Sequence, residues 1–523
     1  MWADRLARGP VLAGLLTGLL AGLLPAAAGA EAPLSAIDWL SRTVQTPGPG
    51  PGEIAAAGEA PVAAGAAPAQ IVTTVIDGPN PDAIGLLPVA TTGLPRTLWG
   101  TSTSEDLARL LREERIDTLP AIQGLLYALL LAELDPPADS DGRGLVYLAR
   151  IDRLLDLGAL DPALSMLEGP AIQAPEPFRR WFDVALLTGQ EDRACEVMRE
   201  TPEIAPTFPA RVFCLARGGD WNAAALSLRT GEALGYVTPE MGELLARFLD
   251  PELYEGEPPI PVPQRPSPLV LRLMEAIGEP MQTTTLPVAF AQSDLRSNAG
   301  WKTRLEAAER LARTGAIEAN RLLGLYTERQ AAASGGVWDR VEAVQRFDTA
   351  ISAQDPVAVA AALPEVWRHM ERSELEVPFA TLFGADLSQL PLTGAAGALA
   401  FRIGLLSPDY ERIARDRTPL GGIEPFLIGI ARGDLDGITP PDPVAGAVKA
   451  AFSRGARLSE SYARLVAENR LGEALLIAIG DITDGARGDL RDVTAGLYLL
   501  RHVGLESVAR RAGLELLLLE RRG

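Results

Sequence analysis

The amino-acid sequence predicts an all-α protein, an α-α superhelix of stacked helical hairpins in two lobes that follows a mostly disordered N-terminal segment. Three observations support this fold class. Apolar residues recur at helical spacing along most of the chain after residue 100, and one helix–turn–helix pattern repeats within it. Hydrophobic residues make up 47% of the chain but aromatic residues only 5%. Cores of Leu, Ala and Val suit closely packed helices better than a β-sandwich.

The stretch 208–229 shows the repeated hairpin most clearly. Apolar residues lead at helical spacing to Gly218, which we expect in the left-handed position just past the helix end. Asp220 is expected to accept hydrogen bonds from the free N–H groups that begin the next helix. Ala223 and Ala224 are small enough to let the second helix lie close to the first. The stretch therefore predicts two helices joined by a short turn.

The same order, Gly or Asn followed five residues later by Ala, recurs along the chain. Neighbouring copies lie 29 to 36 residues apart, the length that a stacked two-helix repeat needs. The copies are Gly158 with Ala163, Gly189 with Ala194, Gly218 with Ala223, Asn469 with Ala474 and Gly504 with Ala509, with looser copies at Gly315 and Gly433.

This repeat resembles tetratricopeptide-like α-α superhelical proteins over roughly residues 101 to 520, without the Trp, Tyr and Pro positions of their consensus. The resemblance implies a scaffold that binds proteins or peptides along its grooves, and it implies no chemistry. An irregular all-helical bundle is the alternative interpretation.

Residues 1–30 have the pattern of a secretory signal peptide. A basic start precedes an apolar run from Val11 to Leu24, and Ala28 and Ala30 occupy the small-residue positions before a cleavage at Glu31. Fourteen helical residues span about 21 Å, less than the roughly 30 Å hydrocarbon core, which favours cleavage over a retained anchor. We expect no membrane span in the mature chain and a location in the periplasm.

Composition predicts the remaining boundaries. Residues 31–100 form a low-complexity, extended segment rich in Ala, Gly and Pro, and are predicted to be mostly disordered. The Pro-rich stretch 251–268 predicts an extended linker. It would separate an N-terminal helical-repeat lobe, 101–250, from a C-terminal one, 269–523.

Three local expectations concern helix ends. Ser102 and Glu105 have the spacing of a capping box that begins the first helix. Pro364 is expected to interrupt a helix. The stretch 377–385 is expected to be an irregular link.

The two cysteines of the chain lie in two helices on either side of the loop 201–207. Cys195 and Cys214 are centred on that loop, so an antiparallel hairpin would bring them opposite each other. In an exported protein this placement predicts a disulfide, and closing a loop of about 19 residues would add on the order of 3 kcal/mol. Two buried free thiols are the alternative. A redox-active pair is not expected, since the chain has no C-x-x-C.

Little in the sequence indicates an enzyme. A net charge of −20 argues against nucleic-acid binding, because phosphates would be repelled. His369 and His502 are far apart in helical patterns, so neither a histidine metal site nor another cofactor is expected. Periplasmic lytic transglycosylases join helical superhelices to a lysozyme-like domain. They require a catalytic Glu followed by Ser, but Glu506-Ser507 lies in a repeat helix, and their Gly-Leu-Met-Gln run is absent.

The sequence therefore predicts a non-enzymatic scaffold, adaptor or chaperone for a cell-envelope assembly, which binds a segment of an envelope protein in a groove. One alternative is a carbohydrate- or cell-wall-active enzyme that uses carboxylates. Another is a structural protein that self-assembles through leucines near its C-terminus, which would otherwise pack beneath the preceding hairpin. These leucines are Leu514, Leu516, Leu517, Leu518 and Leu519.

Overall fold

A computed structural model of the chain describes residues 80–168 and 174–519. The predicted signal peptide with Ala28 and Ala30, and the segment 31–79, lie outside these residues. Within the described part the chain forms 25 α-helices, and its sole β contact is a bridge between Leu87 and Ala132. The all-α fold class is confirmed, and adjacent helices pack in a superhelical pattern.

The first eleven helices lie between residues 89 and 276. They are α1 (Val89–Thr92), α2 (Ser104–Glu113), α3 (Pro120–Leu131), α4 (Leu145–Asp156), α5 (Leu160–Leu167), α6 (Pro175–Thr188), α7 (Glu191–Glu200), α8 (Phe208–Arg217), α9 (Trp221–Ala233), α10 (Pro239–Leu249) and α11 (Pro268–Ala276). From α5 to α11 each helix packs against the next, and α11 returns to pack against α6. Helices α7 to α10 therefore form an arm that leaves α6 and comes back to it.

Fourteen further helices follow α11. They are α12 (Ala291–Asp294), α13 (Trp301–Arg313), α14 (Ala319–Thr327), α15 (Val337–Ser352), α16 (Pro356–Ser373), α17 (Glu376–Gln389), α18 (Gly394–Leu405), α19 (Tyr410–Asp416), α20 (Glu424–Arg432), α21 (Pro443–Phe452), α22 (Glu460–Ala467), α23 (Leu471–Gly485), α24 (Leu490–His502) and α25 (Glu506–Leu518). The strongest pairs are hairpins of neighbouring helices, such as α15 with α16 and α23 with α24.

The hairpin turns use most of the residues that the repeat predicted. The exception is Gly218, which has a right-handed φ of −76°, while Gly219 is the left-handed residue with a φ of 83°. Gly218 still donates its N–H to the carbonyl of Cys214 at 3.0 Å, so the helix runs one residue further than expected. The predicted positions that are left-handed are Gly158, Gly189, Gly315, Gly433, Asn469 and Gly504.

The first long helix has a different cap from the one predicted. Thr103, not Ser102, lies at the N-cap of α2, and its hydroxyl accepts from the N–H of Asp106 at 3.1 Å. Ser102 is buried instead. The Ser102–Glu105 capping box is therefore wrong by one residue, because Asp106 can fill the same role relative to Thr103.

One predicted helix interruption and one predicted irregular link are continuous helix in the structure. Pro364 lies inside the continuous helix α16, on an exposed position where water can bond to the carbonyl that lost its N–H partner. The stretch 377–385 was predicted to be an irregular link, but it belongs to α17. Pro378 is the third residue of that helix, in the first turn, where no intrahelical N–H donor is required.

The Pro-rich stretch begins with a short 3₁₀ helix, Pro251–Tyr254, and residues 255–267 contain no helix. Arg247 of α10 donates to the carbonyl of Pro258 at 2.7 Å, so this segment is attached to the arm. Two hydrophobic cores dominate the described residues. The larger contains side chains from both sides of this stretch, and the smaller lies mainly between residues 291 and 406. The division into two lobes stays a prediction.

The last helices of the chain pack against the first. Helix α23 contacts α2 and α3, and α25 contacts α3; we call this interface the seam. The buried carboxylate of Glu515 accepts from the N–H of Ala121 in the first turn of α3 at 2.8 Å. The N–H of Gly472 donates to the carbonyl of Leu98 at 2.9 Å. A Cβ at Gly472 would lie 2.4 Å from the ring of Trp99, so only glycine fits.

The C-terminal leucines contact the chain's own cores. Leu514 and Leu519 are buried, and the leucines between them are half-buried against the two cores: Leu516, Leu517 and Leu518.

Candidate functional site

Helices α7 and α8 form an antiparallel hairpin with two cross-links. Cys195 and Cys214 are joined in a disulfide, with their Cα atoms 4.9 Å apart. One turn away, Asp192 and Arg217 form an ion pair at 2.5 Å. Both pairs are centred on the same point of the connecting loop, which is the register that the cysteine positions predicted. The hairpin is therefore closed at two successive levels.

A groove of about 490 Å³ lies along this hairpin. Each helix lines it with a stripe at spacing i, i+3, i+4 and i+7, which is one helical face. The stripe of α7 consists of Asp192, Cys195, Glu196 and Arg199, and that of α8 of Arg211, Cys214, Leu215 and Gly218. The volume is within the range of ligand pockets, roughly 300 to 1,000 Å³.

The two ends of the groove differ in charge. Near the loop lie Arg199 and Arg211, on opposite helices. Arg199 pairs with Glu196 at 3.2 Å, but their side chains are 67% and 63% exposed, so water screens this pair. Arg211 is exposed and has no carboxylate partner among the described residues. At the far end Arg217 is already paired, so the lining cation without a carboxylate partner among the described residues, Arg211, lies near the loop.

The far end also carries Asp220, whose carboxylate accepts from the N–H of Ala223 at 3.0 Å and caps α9 as predicted. Next to it Trp221 begins α9 and is 50% exposed. Its ring lies 6.3 Å from that of Phe248 in α10, which in turn stacks on Phe213 at 5.5 Å. Large, partly exposed aromatic rings of this kind anchor many protein–protein interfaces.

Buried charges attach the hairpin to the rest of the fold. The buried carboxylate of Glu191, at the start of α7, forms a close ion pair with Arg272 of α11 and lies 3.7 Å from Arg217 of α8. Beneath it, Arg180 of α6 donates to Asp152 of α4 at 2.8 Å. Burial raises the pKa of nearby Asp183 to about 7. These ion pairs attach α7 to α8 and α11, and α6 to α4.

The groove has the chemistry of a binding surface. Its carboxylates at Asp192 and Glu196 face arginines, and neither histidine lines it. His502 is exposed at the end of α24, and His369 is half-buried in α16, where burial lowers its pKa. Across the described residues, no group of three or more His, Cys, Asp or Glu side chains is arranged to hold a metal ion.

The sequence predicted the cysteine pair but not its surroundings. The arginines near the loop and the exposed Trp221 were not singled out. Reading the i, i+3, i+4, i+7 stripe outward from each cysteine would have identified Arg199 and Arg211, because the register was already known.

A second cavity of about 360 Å³ lies at the seam. Its walls come from the α2–α3 turn, the ends of α23 and α25, and the start of α21, and include Thr118, Arg487 and Leu516. Arg487 already pairs with Asp117 at 2.6 Å. This cavity therefore offers fewer free groups than the groove.

No protein-family model, curated protein or solved structure matches this chain. Of the helices in residues 80–168 and 174–519, none combines the length and apolar character required to cross a membrane. The fold thus places the chain in the broad class of all-helical proteins with hairpin packing that is compatible with a helical-repeat architecture.

Proposed function

We propose that this chain is an exported, tetratricopeptide-like scaffold, adaptor or chaperone without catalytic activity, and that it acts in a cell-envelope assembly. Its groove at the α7–α8 hairpin would bind a segment of an envelope protein. The observation that carries the proposal is the groove itself, which combines an apolar floor with a basic end. Beside it Trp221, which follows the lining residue Asp220 in the chain, is half exposed.

Location in the periplasm is part of the proposal. A disulfide persists in oxidising compartments such as the periplasm. Together with the signal-peptide pattern of residues 1–30, this supports export.

The alternatives have less support. A carbohydrate-active enzyme would need a carboxylate free to act as acid or base. Of the groove carboxylates, Asp192 and Glu196 are paired with arginines and Asp220 caps α9. Self-assembly through the C-terminal leucines would use Leu516 to Leu518, which already pack in part against the chain's own cores.

An affinity capture from periplasmic extract tests the proposal. The bait is the mature chain from Glu31, used after mild cross-linking, with Leu215→Ala in the groove lining as the variant. We expect one stoichiometric envelope partner, whose recovery falls at least tenfold with the variant. The matched control is Arg229→Glu on the exposed side of α9, which should leave recovery unchanged. Recovery of the bait alone, or of a partner that the variant does not affect, would contradict the proposal.

A further inference from the structure

We infer that the groove selects a peptide segment in which a carboxylate side chain neighbours a large apolar one, with the carboxylate held between Arg211 and Arg199 near the loop. This inference rests on the proposed function, and it adds the chemistry of the partner and the direction in which it lies.

Helix α8 is basic, unlike the chain as a whole. The chain is acidic overall, with a net charge of −20, yet α8 carries no Asp or Glu and only two charged residues, Arg211 and Arg217. Arg217 is engaged by Asp192 at 2.5 Å and approaches Glu191 at 3.7 Å. The remaining cation of α8, Arg211, lines the groove without a carboxylate partner in the described part of the chain.

Arg199 lies on the helix that faces Arg211. The register set by the disulfide places Arg199 within one residue of the position opposite Arg211, one turn toward the loop. Two guanidinium groups on facing helices repel each other, and a carboxylate between them would remove that repulsion and accept charge-assisted hydrogen bonds from both. The exposed Glu196 competes weakly for Arg199, because such surface pairs contribute little.

An apolar floor lies between the two ends of the groove. It consists of the disulfide, the buried Met198 and the half-buried Leu215. A thioether side chain adapts to apolar groups of different shapes, so this floor fits Leu, Ile, Met or Phe without strict selection among them.

The far end fixes the direction of the peptide. There the Asp192–Arg217 pair leaves no free cation, and Asp220 adds a negative charge. A partner carboxylate would be repelled there and attracted near the loop. The partner therefore lies with its acidic residue toward the 201–207 loop and its apolar residue over the disulfide.

Display of random heptapeptides on phage, selected against the oxidised chain from Glu31, tests the inference. We expect the selected peptides to be enriched in Asp or Glu next to Leu, Ile, Met or Phe. The same selection on Arg211→Glu should replace the acidic residue by Lys or Arg. A selected acidic peptide should bind Arg211→Glu at least tenfold more weakly and Arg211→Gln by an intermediate amount.

Arg229→Glu is the matched control, since it makes the same charge change on α9 outside the groove lining. It should select the same peptides as the unchanged chain. Arg211 is exposed, so we expect its variants to fold, and equal melting temperatures verify this.

The outcomes separate the inference from the proposed function. Peptides enriched without an acidic residue, or an acidic preference that survives in Arg211→Glu, would overturn the inference and leave groove binding standing. No enrichment over the starting library would overturn peptide binding by the groove as well. Enrichment of basic peptides by the unchanged chain would reverse the assigned charge and also overturn the inference.

Discussion

The α7–α8 hairpin and the seam both fasten helices together, but they do so with opposite chemistry. The hairpin joins neighbours 19 residues apart with a covalent bond and leaves a charged groove open beside it. The seam joins parts of the chain that are 365 residues apart, as at the 2.6 Å contact between the hydroxyls of Thr118 and Thr483. It has no covalent bond and relies on close, buried contacts.

Two tryptophans show this difference. Trp99 at the seam is 0% exposed, whereas Trp221 at the groove is 50% exposed. A disulfide holds the hairpin whether or not its surface is filled, so polar and aromatic groups there can stay available to a partner. Contacts between distant segments must offset a large loss of chain entropy, and buried apolar surface provides the main favourable contribution.

We expect the greatest loss of stability from a substitution at the seam. Trp99→Ala should lower the free energy of unfolding by about 3 to 5 kcal/mol, because it leaves a large cavity in a filled core. Trp221→Ala should change it by less than about 0.5 kcal/mol, as is usual for exposed residues. Urea unfolding of both variants measures the difference. Similar losses in the two variants would mean that the two regions do not differ as described.

The second prediction concerns the covalent cross-link of the hairpin. Replacing Cys195 and Cys214 together by Ala should lower the free energy of unfolding by about 3 kcal/mol, since the closed loop has about 19 residues. Hydrogen exchange should rise in α7 and α8 and stay unchanged in α23 and α25. Increased exchange at the seam would show that the two regions are coupled.

The third effect is a pH dependence at the seam. Burial raises the pKa of Glu114 to about 8, and Asp484 and Asp481 of α23 add to the rise while Arg153 opposes it. The folded state keeps the proton on Glu114 at pH values where the unfolded chain has lost it. This contribution to stability is therefore lost as the pH rises from about 4.5 to about 8.

Glu114→Gln should remove this contribution and reduce the fall of the melting temperature between pH 5 and 9, most clearly above pH 7, because Asp183 contributes at lower pH. Glu113→Gln, at the adjacent exposed position, is the control. A wild-type melting temperature that does not fall across this range would contradict the assignment.

The ion pair beside the disulfide should contribute least to stability. Asp192→Asn removes the ion pair with Arg217, whose side chains are 75% and 38% exposed. We expect a loss of less than about 1 kcal/mol, decreasing further at high salt. Thermal unfolding at low and high salt measures it. A loss comparable with that of the disulfide variant would show that the ion pair is as important to the hairpin as the covalent bond.

Short-range features were predicted well from the residues alone. The left-handed turns at Gly158 and Asn469 and the capping of α9 by Asp220 depend on a few neighbouring residues. The pairing of Cys195 with Cys214 needed only a hairpin and its midpoint. Errors of one residue at Gly218 and Ser102 have the same origin, because neighbouring residues there offer nearly equivalent turns and caps.

The helix across residues 377–385 was missed for a related reason. This stretch contains Pro378, but a proline in the first turn does not interrupt a helix. A residue such as proline indicates that a helix end is near, but it does not indicate whether that residue lies inside or outside the helix.

The helical hairpins, their turns and the cysteine pair could be predicted from the residues, because helix periodicity, left-handed glycines and a two-helix register are local properties. Three other features depend on tertiary packing: Glu515 caps α3, Gly472 faces Trp99, and Arg199 and Arg211 share one groove with Trp221 beside it. Contacts such as that between Ala121 and Glu515, 394 residues apart, leave no periodic pattern in a single sequence. They arise from how whole helices pack, which depends on all the surfaces involved at once.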